Sequence, residues 1–107
     1  MNPLASLHCK PLDGRAALSA QEIAAQLQLV DGWVLDEGAI QKTFRFADYH
    51  RTTAFVNAVA WIACREDHHP DIAFGYDRCT VRFATHSAGG ITANDFICAA
   101  KLDSLLA

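Results

Sequence analysis

The order of secondary-structure elements is set by residues 48–86, which read DYHRTTAFVNAVAWIACREDHHPDIAFGYDRCTVRFATH. Asp48 is a typical helix N-cap. The apolar side chains after it recur at helical spacing, at Phe55, Val59 and Ile62. Pro70 limits this helix, because a proline disfavours the helical conformation of the residue before it. The stretch therefore predicts a helix that ends near Asp67 or His68.

The same stretch ends in a predicted β-hairpin. Residues 72–76 and 79–85 have the composition of strands and are separated by a turn at residues 77–78. In the second of these strands, one face carries Val81, Phe83 and Thr85, and the other carries Thr80, Arg82 and Ala84. This period of two is that of a half-buried strand, so one face of the hairpin is expected to lie against the core.

An earlier segment predicts another hairpin. Residues 33–36 and 39–46 flank the dipeptide at 37–38, Glu-Gly, which suits a tight turn. The apolar face of the second strand carries Ile40, Phe44 and Phe46. Lys42 interrupts that face. A hairpin on each side of the central helix predicts an antiparallel sheet rather than parallel crossovers.

One helix precedes the first hairpin and another follows the second. Ser19 and Glu22 have the spacing of a capping box, which predicts a helix over 20–29. Thr92 and Asp95 repeat that spacing and predict a C-terminal helix. The expected fold is α+β, with a four-stranded antiparallel sheet and three helices on one face. Because the sheet edges and the other face need protection, a homodimer or homotetramer is expected.

Length and composition favour one domain, 1–107, in which residues 1–17 lack periodicity and are expected to form a partly ordered arm. A net charge of −3 argues against nucleic acid as a partner. The longest uncharged run, residues 52–64, is too short to span a bilayer, and the N-terminal sequence does not resemble a secretory signal. The expected compartment is the cytoplasm, with no membrane contact and with the cysteines reduced.

Three histidines fall at the predicted ends of elements. His68 and His69 follow the central helix, and His86 ends a strand. Imidazole titrates near neutral pH, so histidines that face one cleft can supply both a general acid and a general base. Asp67 is placed to orient them. The alternative interpretation is that these side chains only satisfy backbone groups at element ends.

Two other kinds of site use the same residues. A zinc site would combine His68, His69 and His86 with Cys64, but adjacent histidines tend to point apart and the short paired spacings of structural zinc sites are missing. A nucleophilic site would pair Cys64 with His68, one helical turn later. A buried thiol beside the apolar stripe is the commoner arrangement.

A longer string carries a specific resemblance. Residues 68–96 read HHPDIAFGYDRCTVRFATHSAGGITANDF, with His-His-Pro, a tyrosine six residues after the proline, a histidine ten residues further, and an aspartate that opens a helix. This pattern resembles the signature of the pterin-4a-carbinolamine dehydratases. The resemblance implies a metal-free, cofactor-free lyase that assembles into dimers or tetramers. Such enzymes convert 4a-hydroxytetrahydropterin to quinonoid dihydropterin and recycle the tetrahydrobiopterin used by aromatic amino acid hydroxylases.

The resemblance also implies roles for individual residues. His68 and His86 would transfer protons, and His69 would mainly contact the substrate. Further substrate-binding positions would be Trp33, Asp67, Thr85 and Asp95. Two of these have other interpretations: the aspartate can be the capping-box carboxylate alone, and the tryptophan can be a core residue.

The chain departs from the family pattern at Cys64, where an acidic residue usually stands four positions before the first histidine. The loss of that carboxylate could alter the basicity of the nearby imidazole. A function from a different class also stays open: a non-catalytic protein-binding or assembly module on the same scaffold.

Overall fold

A computed structural model describes residues 2–106 of the chain. Met1 and Ala107, the end residues of the predicted domain 1–107, lie outside the described residues. Within 2–106 the chain forms three α-helices and four strands: α1 (Ala20–Leu27), β1 (Val34–Asp36), β2 (Ala39–Arg45), α2 (Tyr49–Glu66), β3 (Asp71–Phe74), β4 (Arg78–Phe83) and α3 (Ala93–Ser104). The α+β prediction, with its helix-strand-strand-helix-strand-strand-helix order, is confirmed. Within the same residues, no helix combines the length and apolar character needed to cross a bilayer.

The sheet is antiparallel with the strand order β1-β2-β4-β3, so β2 and β4 are central. Their register places Ile40 opposite Phe83 and Phe44 opposite Cys79, all four buried on the face that the helices cover. Lys42 lies on this same face. Its Nζ donates to the Asp31 carbonyl at 2.8 Å and to Asp103 Oδ1 at 2.9 Å, which explains how a lysine can interrupt an apolar face.

Both predicted capping boxes are confirmed, at Ser19 with Glu22 and at Thr92 with Asp95. The boundaries differ from the predictions by a few residues. Helix α1 ends at Leu27 rather than 29, and the turn of the second hairpin comes earlier. Strand β3 ends at Phe74 because the Gly75 N–H already bonds to the Arg78 carbonyl at 2.9 Å and closes the turn there.

Helix α2 begins after Asp48, whose side chain accepts from the Arg51 N–H, as predicted. It ends in a Schellman-type arrangement, in which the His68 N–H bonds to the Ala63 carbonyl at 3.1 Å. Asp67 has the left-handed conformation, with φ 50°. This tight exit turns the chain sharply and carries the two adjacent histidines away from the helix axis.

The expectation of a buried Cys64 is wrong, because this thiol is exposed. The buried positions of α2 are Thr52, Phe55, Val59, Ile62, Ala63 and Glu66. Cys64 follows Ile62 by two residues and Ala63 by one, and a rotation of about 100° per residue places it on the solvent side.

The N-terminal arm packs on the body of the domain. It contains two short 3₁₀-helices, Pro3–Ser6 and Gly14–Ala16, and Cys9 packs against the core between them. Lys10 and Asn94 exchange two hydrogen bonds, of 3.2 and 2.7 Å, which fasten the arm to the first turn of α3. The arm therefore forms a wall beside the exit of α2.

Candidate active site

The three histidines predicted at element ends lie in two dipeptides, each of which directly follows a helix or a strand. His68-His69 follows α2, and Thr85-His86 follows β4. The first member of each pair is buried, at 9% and 5% exposure, while the second member is exposed. Each exposed histidine is therefore the direct neighbour in the chain of a buried residue that anchors it.

Asp95 joins the two buried members. Its Oδ1 lies 2.6 Å from His68 Nε2, and its Oδ2 accepts from Thr85 Oγ1 at 2.8 Å. The same Oδ2 accepts the Thr92 N–H at 2.9 Å, which is the capping-box contact. Asp95 is fully buried. The predicted capping-box role of Asp95 is therefore confirmed, and the same carboxylate also bonds to a histidine.

The donors around Asp95 determine the state of the His68 ring. The carboxylate only accepts, so His68 Nε2 carries the hydrogen of this bond. In the neutral imidazole, the other ring nitrogen, Nδ1, is then a proton acceptor. The ring also stacks on Phe83, with centroids 5.7 Å apart and planes 7° apart. Orientation and tautomer of His68 are thus both held by its surroundings.

The direction of the hydrogen bonds made by the Thr85 hydroxyl is also fixed by its neighbours. Thr85 Oγ1 donates its single proton to Asp95, so the Thr92 hydroxyl, 2.8 Å away, must donate to Thr85. Among the described residues, no buried side-chain nitrogen or oxygen lacks a partner. The buried network is therefore fully satisfied, which makes it a rigid base for the exposed histidines.

His69 and His86 line the same open pocket, which has a volume of about 360 Å³. Thr85 contributes to its wall, and Glu37 and Gly38 come from the β1–β2 turn. The remaining lining residues include Asp71 and Arg82 from the sheet and the glycines at 89 and 90. Arg82 is itself held by Asp36, with Nη1 2.8 Å from Oδ2. The pocket thus combines two imidazoles with charged groups of both signs.

His68 lines a separate pocket of about 290 Å³ on the side of the arm. Asp67 and Thr85 also line it, together with arm residues 9–12. The structure therefore does not gather the three histidines in one pocket. Thr85 is common to both pockets, and the histidines are distributed around it.

Glu66 is a wall residue that the sequence interpretation leaves without a role. It accepts the Cys9 N–H at 2.7 Å and faces His8 Nδ1 at 3.0 Å and Lys101 Nζ at 3.9 Å. Burial by itself raises the pKa of this carboxyl, but the Cys9 amide, the His8 ring and Lys101 outweigh it and lower the pKa below its ordinary value. The sequence contains a signal for this buried position, because Glu66 falls four residues after Ile62, on the apolar stripe of α2.

Trp33 lies in the core rather than with the histidines. It is 4% exposed, packs edge-on against Phe44, and donates from Nε1 to Asp103 at 3.1 Å. Among the described residues, no group of three or more His, Cys, Asp or Glu side chains is arranged to hold a metal ion. The exposed Cys64 lines neither histidine pocket.

Comparisons with known proteins match the chain over nearly its whole length. The family model of pterin 4 alpha carbinolamine dehydratase covers residues 16–105. A protein of Nitrosospira multiformis named "Putative pterin-4-alpha-carbinolamine dehydratase" is 51% identical over 106 residues, which is 98% of this chain and 94% of the relative.

Two solved structures have the same fold. A transcriptional coactivator/pterin dehydratase from Brucella melitensis superposes with a TM-score of 0.81 at 32% identity, covering 85% of this chain and 99% of that one. A pterin dehydratase-like protein, described as a RuBisCO assembly factor in the alpha-carboxysome, gives a TM-score of 0.57 at 26% identity, covering 68% and 84%. With the family model and the Nitrosospira relative, these matches show that the chain belongs to the pterin 4 alpha carbinolamine dehydratase family.

Proposed function

We propose that this protein is a lyase that removes water from a 4a-hydroxytetrahydropterin to give the quinonoid dihydropterin. One observation carries the proposal: the buried Asp95 ties together His68 and Thr85, and each of them precedes an exposed histidine in a common pocket. Family membership supports the same reaction class.

The reaction requires two proton transfers. The C4a–O bond breaks as the hydroxyl takes up a proton and leaves as water. The neighbouring ring nitrogen loses its proton, and its electron pair forms the new C=N bond. Two imidazoles suit these steps, because one can donate a proton while the other accepts one. No metal is needed for this chemistry.

We assign the proton transfers to His68 and His86 and a substrate contact to His69. In this proposal the reacting carbon lies against Thr85, which both pockets share. The fixed tautomer of His68 supports its assignment as a proton acceptor, because Asp95 leaves Nδ1 without a hydrogen in the neutral ring. Asp67 lines the His68 pocket and is placed to contact the substrate there. Trp33, buried in the core, has no direct contact with substrate in this proposal.

The proposal extends to the use of the product. Reduction of the quinonoid dihydropterin would regenerate the tetrahydropterin consumed by an aromatic amino acid hydroxylase, which is the expected client. A reconstituted hydroxylase reaction with a dihydropterin reductase tests this: the protein should raise the sustained rate of aromatic hydroxylation, and an unchanged rate would contradict the recycling role.

The direct test is a stopped-flow assay of 4a-hydroxytetrahydropterin dehydration with excess chelator present. Purified protein should accelerate the reaction. His68→Ala and His86→Ala should each lower kcat by about 10²-fold or more, the usual contribution of one general acid or base. His69→Ala should mainly raise KM. His50→Ala is the matched control, since this histidine is exposed in the first turn of α2 and lies outside both pockets. Equal rates in all four variants would remove the histidines from the mechanism.

A second candidate function is a non-catalytic binding or assembly module. The names of the two structural neighbours favour it, since one includes a coactivator and the other an assembly factor. The histidine variants separate the candidates: a binding module would keep its partner complex and show no dehydration above the uncatalysed rate even in the wild type.

A further inference from the structure

Two thiols from distant parts of the chain are in contact. Cys9 lies in the N-terminal arm, and Cys98 lies in α3. Their sulfur atoms are 3.5 Å apart, and Cys9 Sγ also lies 3.6 Å from the Asn94 carbonyl oxygen. Cys98 is fully buried, whereas Cys9 is partly exposed and lines the His68 pocket. Cys9 is therefore the member of the pair that borders an open pocket.

The backbone around Cys9 keeps the two sulfur atoms together. Its own N–H bonds to Glu66 Oε1 at 2.7 Å, and the next residue, Lys10, exchanges two hydrogen bonds with Asn94. These contacts lie on either side of the thiol and fix the arm against α2 and α3. The other cysteines occupy different surroundings: Cys64 is exposed on α2 and Cys79 is buried in β4.

We propose that Cys9 and Cys98 are a redox-active thiol pair that a hydroperoxide converts to an intramolecular disulfide. Cys9 sulfur attacks one peroxide oxygen, the O–O bond breaks, and the second oxygen leaves as water with the thiol proton. Cys98 sulfur then attacks the resulting sulfenic acid, forming the S–S bond and releasing a second water. The two thiols lose two electrons, and hydrogen peroxide is reduced to two water molecules.

The surroundings of each sulfur support this order of events. The hydrogen bond to Cys9, together with burial, raises the pKa of the Cys98 thiol, so Cys98 keeps its proton while the more accessible Cys9 meets the oxidant. The resulting bond would join the arm covalently to α3. Since arm residues 9–12 form one wall of the His68 pocket, oxidation would fix that wall in place.

The test is titration of the purified full chain with hydrogen peroxide, followed by intact mass and peptide mapping without reductant. The wild type should lose two hydrogen atoms, keep two of its four thiols, and yield a linked peptide containing Cys9 and Cys98. Its thermal midpoint should rise on oxidation and return on reduction, because a bond between distant residues restricts the unfolded chain.

The variants have distinct expected outcomes. Cys64→Ser should behave as the wild type, while Cys9→Ser should abolish both the linked peptide and the rise in midpoint. Cys9→Ser is the decisive variant because Cys9 is partly exposed, whereas a polar substitution at the buried Cys98 could impair folding. Oxygen addition at Cys9 without a linked peptide, or a disulfide through Cys64, would overturn the proposal. None of these readouts depends on dehydratase activity.

Discussion

The substitution Asp95→Asn tests whether the buried carboxylate sets the tautomer of His68. Three donors converge on Asp95: the Thr92 N–H and the Thr85 hydroxyl on Oδ2, and His68 Nε2 on Oδ1. An amide has one oxygen, which accepts, and one NH₂ group, which donates. The partners of one of the two former carboxylate oxygens must therefore change from donor to acceptor. The backbone N–H of Thr92 cannot become an acceptor, whereas imidazole can exchange tautomers. The amide oxygen should therefore stay on Thr92 and Thr85, and the NH₂ group should face His68.

His68 then has to accept at Nε2, and its hydrogen moves to Nδ1. The nitrogen that the proposed mechanism uses as a base is lost, so kcat should fall by about 10²- to 10⁴-fold, the range for removing one acid–base catalyst. KM should change little, because the residues of the larger pocket are untouched. Stability should fall by about 1–3 kcal/mol, since charge-assisted hydrogen bonds become neutral ones while the helix cap is kept.

The assay combines stopped-flow dehydration with ¹⁵N NMR of the histidine rings, which distinguishes the two tautomers. Asp103→Asn is the matched control: it makes the same chemical change at a carboxylate that accepts from Trp33 and Lys42, away from both histidine pockets. It should leave kcat unchanged. A reversed His68 tautomer with wild-type kcat would refute the role of His68 as a base, and an unchanged tautomer would show that Asp95 does not set it.

Three further predictions concern other parts of the molecule. Glu66→Gln should be less stable than the wild type above pH 4.5, the ordinary pKa of this carboxyl, and the difference in stability should shrink as the pH falls through the lower pKa of the folded state. Urea unfolding of both proteins at pH 7 and pH 3 measures this difference. An equal difference at the two pH values would contradict the role of the ionised carboxylate. Trp33→Phe should lower stability by about 1–3 kcal/mol, because Asp103 loses its indole donor. An altered KM in that variant would instead favour the substrate-binding role that the family resemblance implies for Trp33. Sedimentation at micromolar concentration should show a homodimer or homotetramer, because within the described residues each outer strand, β1 and β3, pairs with a strand on one side alone. A mass near 11.7 kDa throughout would disprove this expectation.

Much of the fold is predictable because its signals are local. A capping box occupies four consecutive residues, as at Ser19–Glu22, and strand alternation is visible within six, as in β4. The exit of α2 is predicted by Pro70 for the same reason. The observed strand boundaries differ from the predicted ones where a backbone hydrogen bond closes a turn early, as at Gly75. The expected burial of Cys64 fails because its neighbours Ile62 and Ala63 lie at the edges of the buried stripe of α2 rather than at its centre.

Local sequence signals are enough to predict the element order, the helix caps and the presence of histidines at two element ends. Which histidines share a pocket, and which groups hold them, depends on packing: His68 and its partner Asp95 are 27 residues apart, and Cys9 and its partner Glu66 are 57 apart. No periodicity links positions at such distances. The arm shows this most clearly: residues 1–17 have no pattern of their own, and those among them that the structure describes form a wall through contacts with α2 and α3. Helix and strand patterns report interactions between near neighbours, whereas a site assembled by long-range hydrogen bonds becomes visible only when the packed chain brings its donors and acceptors together.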